Sequence, residues 1–142
     1  MASRETYLVP VDFSRGSSKA FDYALKLARE KAAKVVALHV VQGELIYPSE
    51  GRAFDFYGLL ERDARENFKK LLKRKRLDAK DCALVLARGT DFGAVIAREA
   101  RRLRASMIVM GSHGRTGLGR FLLGSVAERT LRYARCPVLI VK

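Results

Sequence analysis

The sequence has no tryptophan, three prolines, two histidines, two cysteines, one asparagine (Asn67) and one glutamine (Gln42). The cysteines, Cys82 and Cys136, are far apart and form no C-x-x-C pair. This excludes a disulfide framework and a cysteine-based zinc module, and a reducing, cytoplasmic setting is expected. No apolar run approaches the ~20 residues that a helical membrane span needs. The opening Met1-Ala2-Ser3-Arg4-Glu5 lacks the apolar core of a secretion signal. Acidic residues are scarce as well. There are 15 Asp and Glu against 28 Lys and Arg, a formal net charge of +13. Such a surface attracts phosphates, nucleotides, nucleic acid or acidic membranes. Few amides and many charges are also what heat-adapted surfaces show, so charge alone does not select a partner.

What is present is enough for one ordinary domain: 142 residues, 49% of them hydrophobic. Five short apolar runs stand out, at residues 7–11, 35–41, 83–87, 107–110 and 137–141. They are rich in Val, Ile and Leu and do not alternate with polar residues, the pattern of strands buried on both faces of a parallel sheet. Helical periodicity fills residues 17–32, 54–76, 91–103 and 126–135, with Thr90 as the expected cap of the third. Strands alternating with helices imply right-handed βαβ units in an α/β domain. Residues 42–53 form the one long connection and read as a loop or lid. Residues 69–76, Lys-Lys-Leu-Leu-Lys-Arg-Lys-Arg, are the densest basic run. They read either as a nucleic-acid or membrane patch or as cations complementing a helix C-terminus. No aromatic interleaves them, as single-strand binders require.

The chemistry-bearing segment is 111–128, Gly-Ser-His-Gly-Arg-Thr-Gly-Leu-Gly-Arg-Phe-Leu-Leu-Gly-Ser-Val-Ala-Glu. It follows a buried strand and opens a helix. Glycines allow tight turns and close backbone approach, successive amides form an anion nest, and the helix N-terminus adds its dipole. A di- or triphosphate is the natural guest. The dinucleotide pattern fails because Leu122 stands where its last glycine belongs. The Walker pattern fails because Arg120-Phe121 replaces the lysine and the hydroxyl. The pattern G-x2-G-x9-G-[ST] fits without a gap, through Gly111, Gly114, Gly124 and Ser125.

That pattern is the nucleotide-binding signature of the universal stress protein family, which the chain resembles over nearly its whole length. Val9-Pro10-Val11-Asp12-Phe13-Ser14, Leu38-His39-Val40-Val41, the 108–114 stretch and Cys136-Pro137-Val138-Leu139-Ile140-Val141 resemble the family's first, second, fourth and last strands. The resemblance implies a Rossmann-like open parallel five-stranded sheet, order 3-2-1-4-5, with helices on both faces. Its switch point lies between strands 1 and 4, where ligands of such sheets bind. It further implies ATP, or another adenine nucleotide, as ligand. Pro10, Val11 and Asp12 would lie against the nucleoside and Val40 against adenine. Met110, Gly111, Gly114 and Arg115 would border ribose and phosphates, and Gly124, Ser125 and Val126 would hold phosphates. Mg²⁺ or Mn²⁺ could ride on the phosphates without a dedicated protein cage. A homodimer through the C-terminal strand is implied too, which would cover an otherwise apolar edge.

Rival roles stand beside these. Asp12 could cap the helix after it. Ser125-Val-Ala-Glu128 is a capping box by sequence. His113 could touch phosphate or face solvent. His39, inside an apolar strand, reads as structural. Arg115 and Arg120 could bind phosphate or face solvent. No Walker lysine and no metal-ligand cluster appear, and Asp12 is the one evident base, so any ATP hydrolysis is expected to be slow. A nucleotide-binding regulator in stress response is the leading reading. Phosphoryl or adenylyl transfer, and a basic protein that binds nucleic acid or a protein partner without nucleotide, are the alternatives.

Overall fold

The computed structural model describes residues 4–42, 56–113 and 122–142. Strands and helices alternate along them: β1 (Thr6–Pro10), α1 (Arg15–Lys31), β2 (Lys34–Gln42), α2 (Phe56–Arg74), β3 (Ala83–Gly89), α3 (Phe92–Arg102), β4 (Met107–Gly111), α4 (Ser125–Tyr133) and β5 (Val138–Val141). The strands pair in parallel in the order β3-β2-β1-β4-β5. This is the Rossmann-like α/β arrangement expected from the sequence.

The apolar runs do not alternate because both faces of the sheet are covered. Tyr7, Val9 and Val109 pack with Phe21 and Ala24 of α1 and with Phe68 and Leu71 of α2. The intervening Leu8, Ile108 and Met110 pack with Ile96 of α3 and Ala127 of α4. Leu8, Val9, Ile108 and Val109 are all fully buried. Right-handed crossovers explain the division of helices. The chain moves one way from β1 to β3, laying α1 and α2 on one face. It then moves the other way through β4 to β5, laying α3 and α4 on the opposite face. Among the described residues, no helix is long and apolar enough to cross a membrane.

Helix starts show where local chemistry wins. Ser14 caps α1 and accepts from the Ser17 amide. Asp91, not Thr90, caps α3, accepting from the Ala94 N–H at 3.2 Å. Its other carboxylate oxygen takes the Arg129 guanidinium at 3.0 Å, so the cap also ties α3 to α4. The carboxylate gives each partner its own oxygen and gives the guanidinium a negative charge, which a threonine hydroxyl lacks.

One feature of the register positions the site. On the β2 side, β1 stays paired through Pro10, and the Val11 N–H still donates to the Leu38 carbonyl at 2.8 Å. On the β4 side, β1 pairs only at Tyr7 and Leu8. Pairing of β1 with β4 therefore ends at Leu8, while pairing with β2 runs on through Pro10. Beyond Leu8 the two central strands part at their C-terminal ends.

Candidate functional site

A cavity of about 710 Å³ occupies this parting. That is within the range of small-molecule sites. Three backbone segments build its floor: the β1–α1 turn, the residues after β4 and the start of α4.

The β1–α1 turn is braced by Asp12. Its Oδ1 accepts the Ser14 amide at 3.0 Å and also the Ser14 hydroxyl, and its own N–H donates to Ser17 Oγ at 3.3 Å. Asp12 therefore supports the cap and is not the cap. The turn passes through Phe13 at φ 64°, a left-handed conformation that non-glycine residues adopt at a cost. The Phe13 ring lies 5.0 Å from the His39 ring, and His39 Nδ1 is 2.8 Å from the Val11 carbonyl oxygen. As expected, His39 has a structural partner; it also lines the cavity.

After β4 the backbones touch. A Cβ on Gly111 would lie 3.0 Å from the Gly16 carbonyl carbon and oxygen, so the start of α1 rests directly on the end of β4. The Ser112 N–H donates to the Val141 carbonyl at 3.1 Å, and the Ser112 carbonyl accepts the Gly124 N–H at 2.7 Å. Ser112 thus joins the end of β5 to the start of α4. His113 places Nδ1 3.0 Å from Ser112 Oγ, while its Nε2 is buried with no hydrogen-bond partner among the described residues. The residue as a whole is half-buried and lines the cavity.

The capping box expected at Ser125 and Glu128 does not form. Gly124 is the N-cap, without a side-chain cap, and Ser125 is already the first helical residue. Glu128 instead pairs with Arg132 at 3.4 Å. The cause is the close seating of Gly124 on Ser112, which starts the helix one residue early and leaves no room for a side chain. A Cβ at Gly124 would sit 2.9 Å from the Ser112 oxygen. The amides of Ser125, Val126 and Ala127 precede the first intrahelical bond, from Glu128 N–H to the Gly124 carbonyl. Uncapped amides at a helix start are an anion site in waiting.

Pro10, Val11, Asp12, Val40, Met110, Gly111, Gly124, Ser125 and Val126 all line this cavity. Gly114, Arg115 and Arg120 lie outside the described residues, as does the 43–53 part of the expected loop. The sequence reading left out Phe13 and Ser112, with Leu60, Asp63 and Asn67 of α2 and Phe92 and Ile96 of α3. A signal existed for the α2 wall: Asp63 and Asn67 are polar residues beside the inward Leu60 and Ala64 at helical spacing. Among the described residues, no group of three His, Cys, Asp or Glu could hold a metal ion. Cysteine chemistry has no foothold: burial pushes the Cys82 thiol up to about 11 and the Cys136 thiol up as well.

A sequence profile of the universal stress protein family matches residues 4–142. The chain belongs to this family. Universal stress protein MJ0531 of Methanocaldococcus jannaschii is 36% identical over 137 residues, spanning 95% of this chain and 80% of that protein. The solved structure of universal stress protein UspA from Lactobacillus plantarum has a TM-score of 0.78 at 24% identity, covering 99% of this chain and 100% of its own. The universal stress protein from Archaeoglobus fulgidus in complex with dAMP has a TM-score of 0.66 at 20% identity, with 100% of both chains covered. At those identities the two structures share the fold. In this universal stress protein, the glycine signature and the first-strand motif meet at one crevice, insofar as their residues are described.

Proposed function

We propose that this universal stress protein binds an adenine nucleotide, ATP foremost, in the crevice between β1 and β4, and that binding serves regulation under stress. The observation that carries this reading is the uncapped start of α4, opening onto a cavity that is also lined by apolar side chains of β1, β2 and α3. Val40, Leu38 and Ile96 offer the adenine an apolar bed, with Val11 and Asp12 beside the nucleoside. The Ser125, Val126 and Ala127 amides take phosphate oxygens, helped by Gly114 and Arg115. The dAMP complex of the Archaeoglobus relative supports the ligand class. A Mg²⁺ or Mn²⁺ ion would ride on the phosphates. Asp12 is already engaged by Ser14, so turnover of ATP is slow at most.

The test begins with purified protein, denatured, and any released nucleotide identified by chromatography. Stripped protein is then titrated with ATP, AMP and adenosine by calorimetry, with and without Mg²⁺. Saturable binding, with phosphate-bearing ligands ahead of adenosine, is the expected result. No released nucleotide and no heat at high protein concentration would sink the reading.

We also propose a homodimer through β5, the edge of the sheet. The Pro137 and Val141 carbonyls accept from β4, so the alternate residues Val138 and Ile140 direct their backbone groups outward. Ile140→Pro removes one outward N–H while sparing the β4 ladder. Light scattering is expected to give a dimer mass for the parent and a monomer mass for the variant. A monomeric parent would refute the dimer.

A further inference from the structure

The charge excess is not spread evenly. On the α3–α4 side, four of seven arginines hold carboxylates: Arg98 and Arg102 hold Glu99, Arg129 holds Asp91, and Arg132 holds Glu128, whereas Arg101, Arg104 and Arg135 make no ion pair among the described residues. The α2 side differs. Arg62, Arg65, Lys69 and Lys73 are exposed at spacings of three and four, which puts them on one stripe of the helix. Lys69 has an exposed partner in Glu66, whereas Arg62, Arg65 and Lys73 make no ion pair among the described residues. From Phe68 to Leu77 the chain carries no carboxylate at all. At the C-terminal end of α2, a cleft of about 450 Å³ lies between α2 and α1, lined by Lys26, Arg29 and Arg74. One acid, Asp22, lines that cleft, and it is held by Lys75.

We propose that this α1–α2 face is a sequence-independent binding surface for duplex nucleic acid, its α2 stripe turned away from the Leu60, Asp63, Ala64 and Asn67 positions that line the nucleotide crevice. The stripe from Arg62 to Lys73 runs about 16 Å along the helix. That length faces a phosphate backbone carrying one charge per about 1.7 Å of duplex. Unpaired cations release condensed counterions on binding, whereas cations already neutralised by carboxylates contribute little. Two observations select a duplex over other polyanions. The apolar face of α2 (Ala64, Phe68, Leu71 and Leu72) is buried in the core, and the exposed Leu59 and Tyr23 are isolated side chains, not the continuous apolar face that inserts into a lipid surface. Tyr57 lies beneath the Arg88 guanidinium and Phe68 is buried, which leaves Tyr23 of α1 as a single exposed ring where a single strand stacks successive bases on several.

The experiment measures binding of the intact protein to a duplex of about 20 base pairs across 50–200 mM salt by fluorescence anisotropy. About five or six phosphate contacts predict an affinity loss on the order of 10³-fold over that range. Replacing Arg65, Lys69 and Lys73 together by glutamine is expected to flatten the log–log salt slope by about 3 and to weaken binding by about 100-fold at 100 mM salt. The matched control replaces Arg101, Arg104 and Arg135 by glutamine, removing the same charge from the α3–α4 side with little effect on the slope. Thermal melting checks that both triples fold. Equal losses in the two triples would reduce the effect to net charge and overturn the assignment. So would absent duplex binding at 50 mM salt. Tighter binding to vesicles of phosphatidylserine and phosphatidylcholine than to duplex at matched salt would transfer the face to membranes and overturn it too.

Discussion

Gly124→Val is expected to weaken ATP binding by more than ~100-fold while the sheet remains folded. Gly124 has φ −62° and needs no special backbone freedom; what it needs is space. Even a methyl group there would press within 2.9 Å of the Ser112 oxygen and 3.4 Å of the His113 Cα. Both neighbours are backbone, so neither can swing aside as a flexible side chain would. The contact is relieved only by moving the start of α4 away from the end of β4. That withdraws the Ser125, Val126 and Ala127 amides from the place where phosphates would sit. Charge-assisted hydrogen bonds contribute roughly 1.5–3 kcal/mol each, so loss of two already exceeds about 100-fold in affinity. Overpacking costs about 1–3 kcal/mol of stability, a fall of several degrees in Tm and not a collapse. Calorimetry and thermal melting on the same preparation separate the two effects. Retained ATP affinity in a folded variant would show that the α4 amides do not hold the ligand.

The fold was legible in the sequence because its signals are local. Leu8, Val9, Ile108 and Val109 sit in unbroken apolar runs, and such runs have few solutions other than a sheet covered on both faces. The periodicity of α2, read as 54–76, agrees with Phe56–Arg74 for the same reason. Sites are less local. Nothing near Phe13 announces a left-handed backbone, because the usual marker is glycine and the turn is enforced from outside, by the Asp12–Ser14 pair and the seating of α1 on β4. Ser125 looked like a cap because Glu128 follows at capping-box spacing. The true N-cap was decided by Ser112, twelve residues upstream of Gly124 and adjacent only after folding. The charge of +13 was plain from composition. That Arg98, Arg102, Arg129 and Arg132 hold carboxylates while Arg62, Arg65 and Lys73 hold none among the described residues required coordinates.

His113→Ala is expected to weaken ATP and AMP by about 10-fold or more and to leave adenosine unchanged. The imidazole lines the cavity two residues past β4, with Nδ1 at Ser112 Oγ. If the hydroxyl donates to Nδ1, Nε2 is the ring's N–H donor, the buried atom without a partner among the described residues. An unpaired buried donor costs about 1–3 kcal/mol, a penalty that a phosphate oxygen removes on binding. A hydrogen bond to a charged acceptor contributes about 1.5–3 kcal/mol, which converts to about 10–150-fold in affinity. Adenosine carries no phosphate and gains nothing from it. The contrast between ligands therefore isolates this contact from any general loosening of the cavity. His113→Gln, which keeps a donor on a shorter reach, should recover part of the loss for ATP. Parallel losses for ATP and adenosine would instead assign His113 to packing around Ser112. The orphaned Nε2 would then be a tolerated cost of joining β5 to the start of α4.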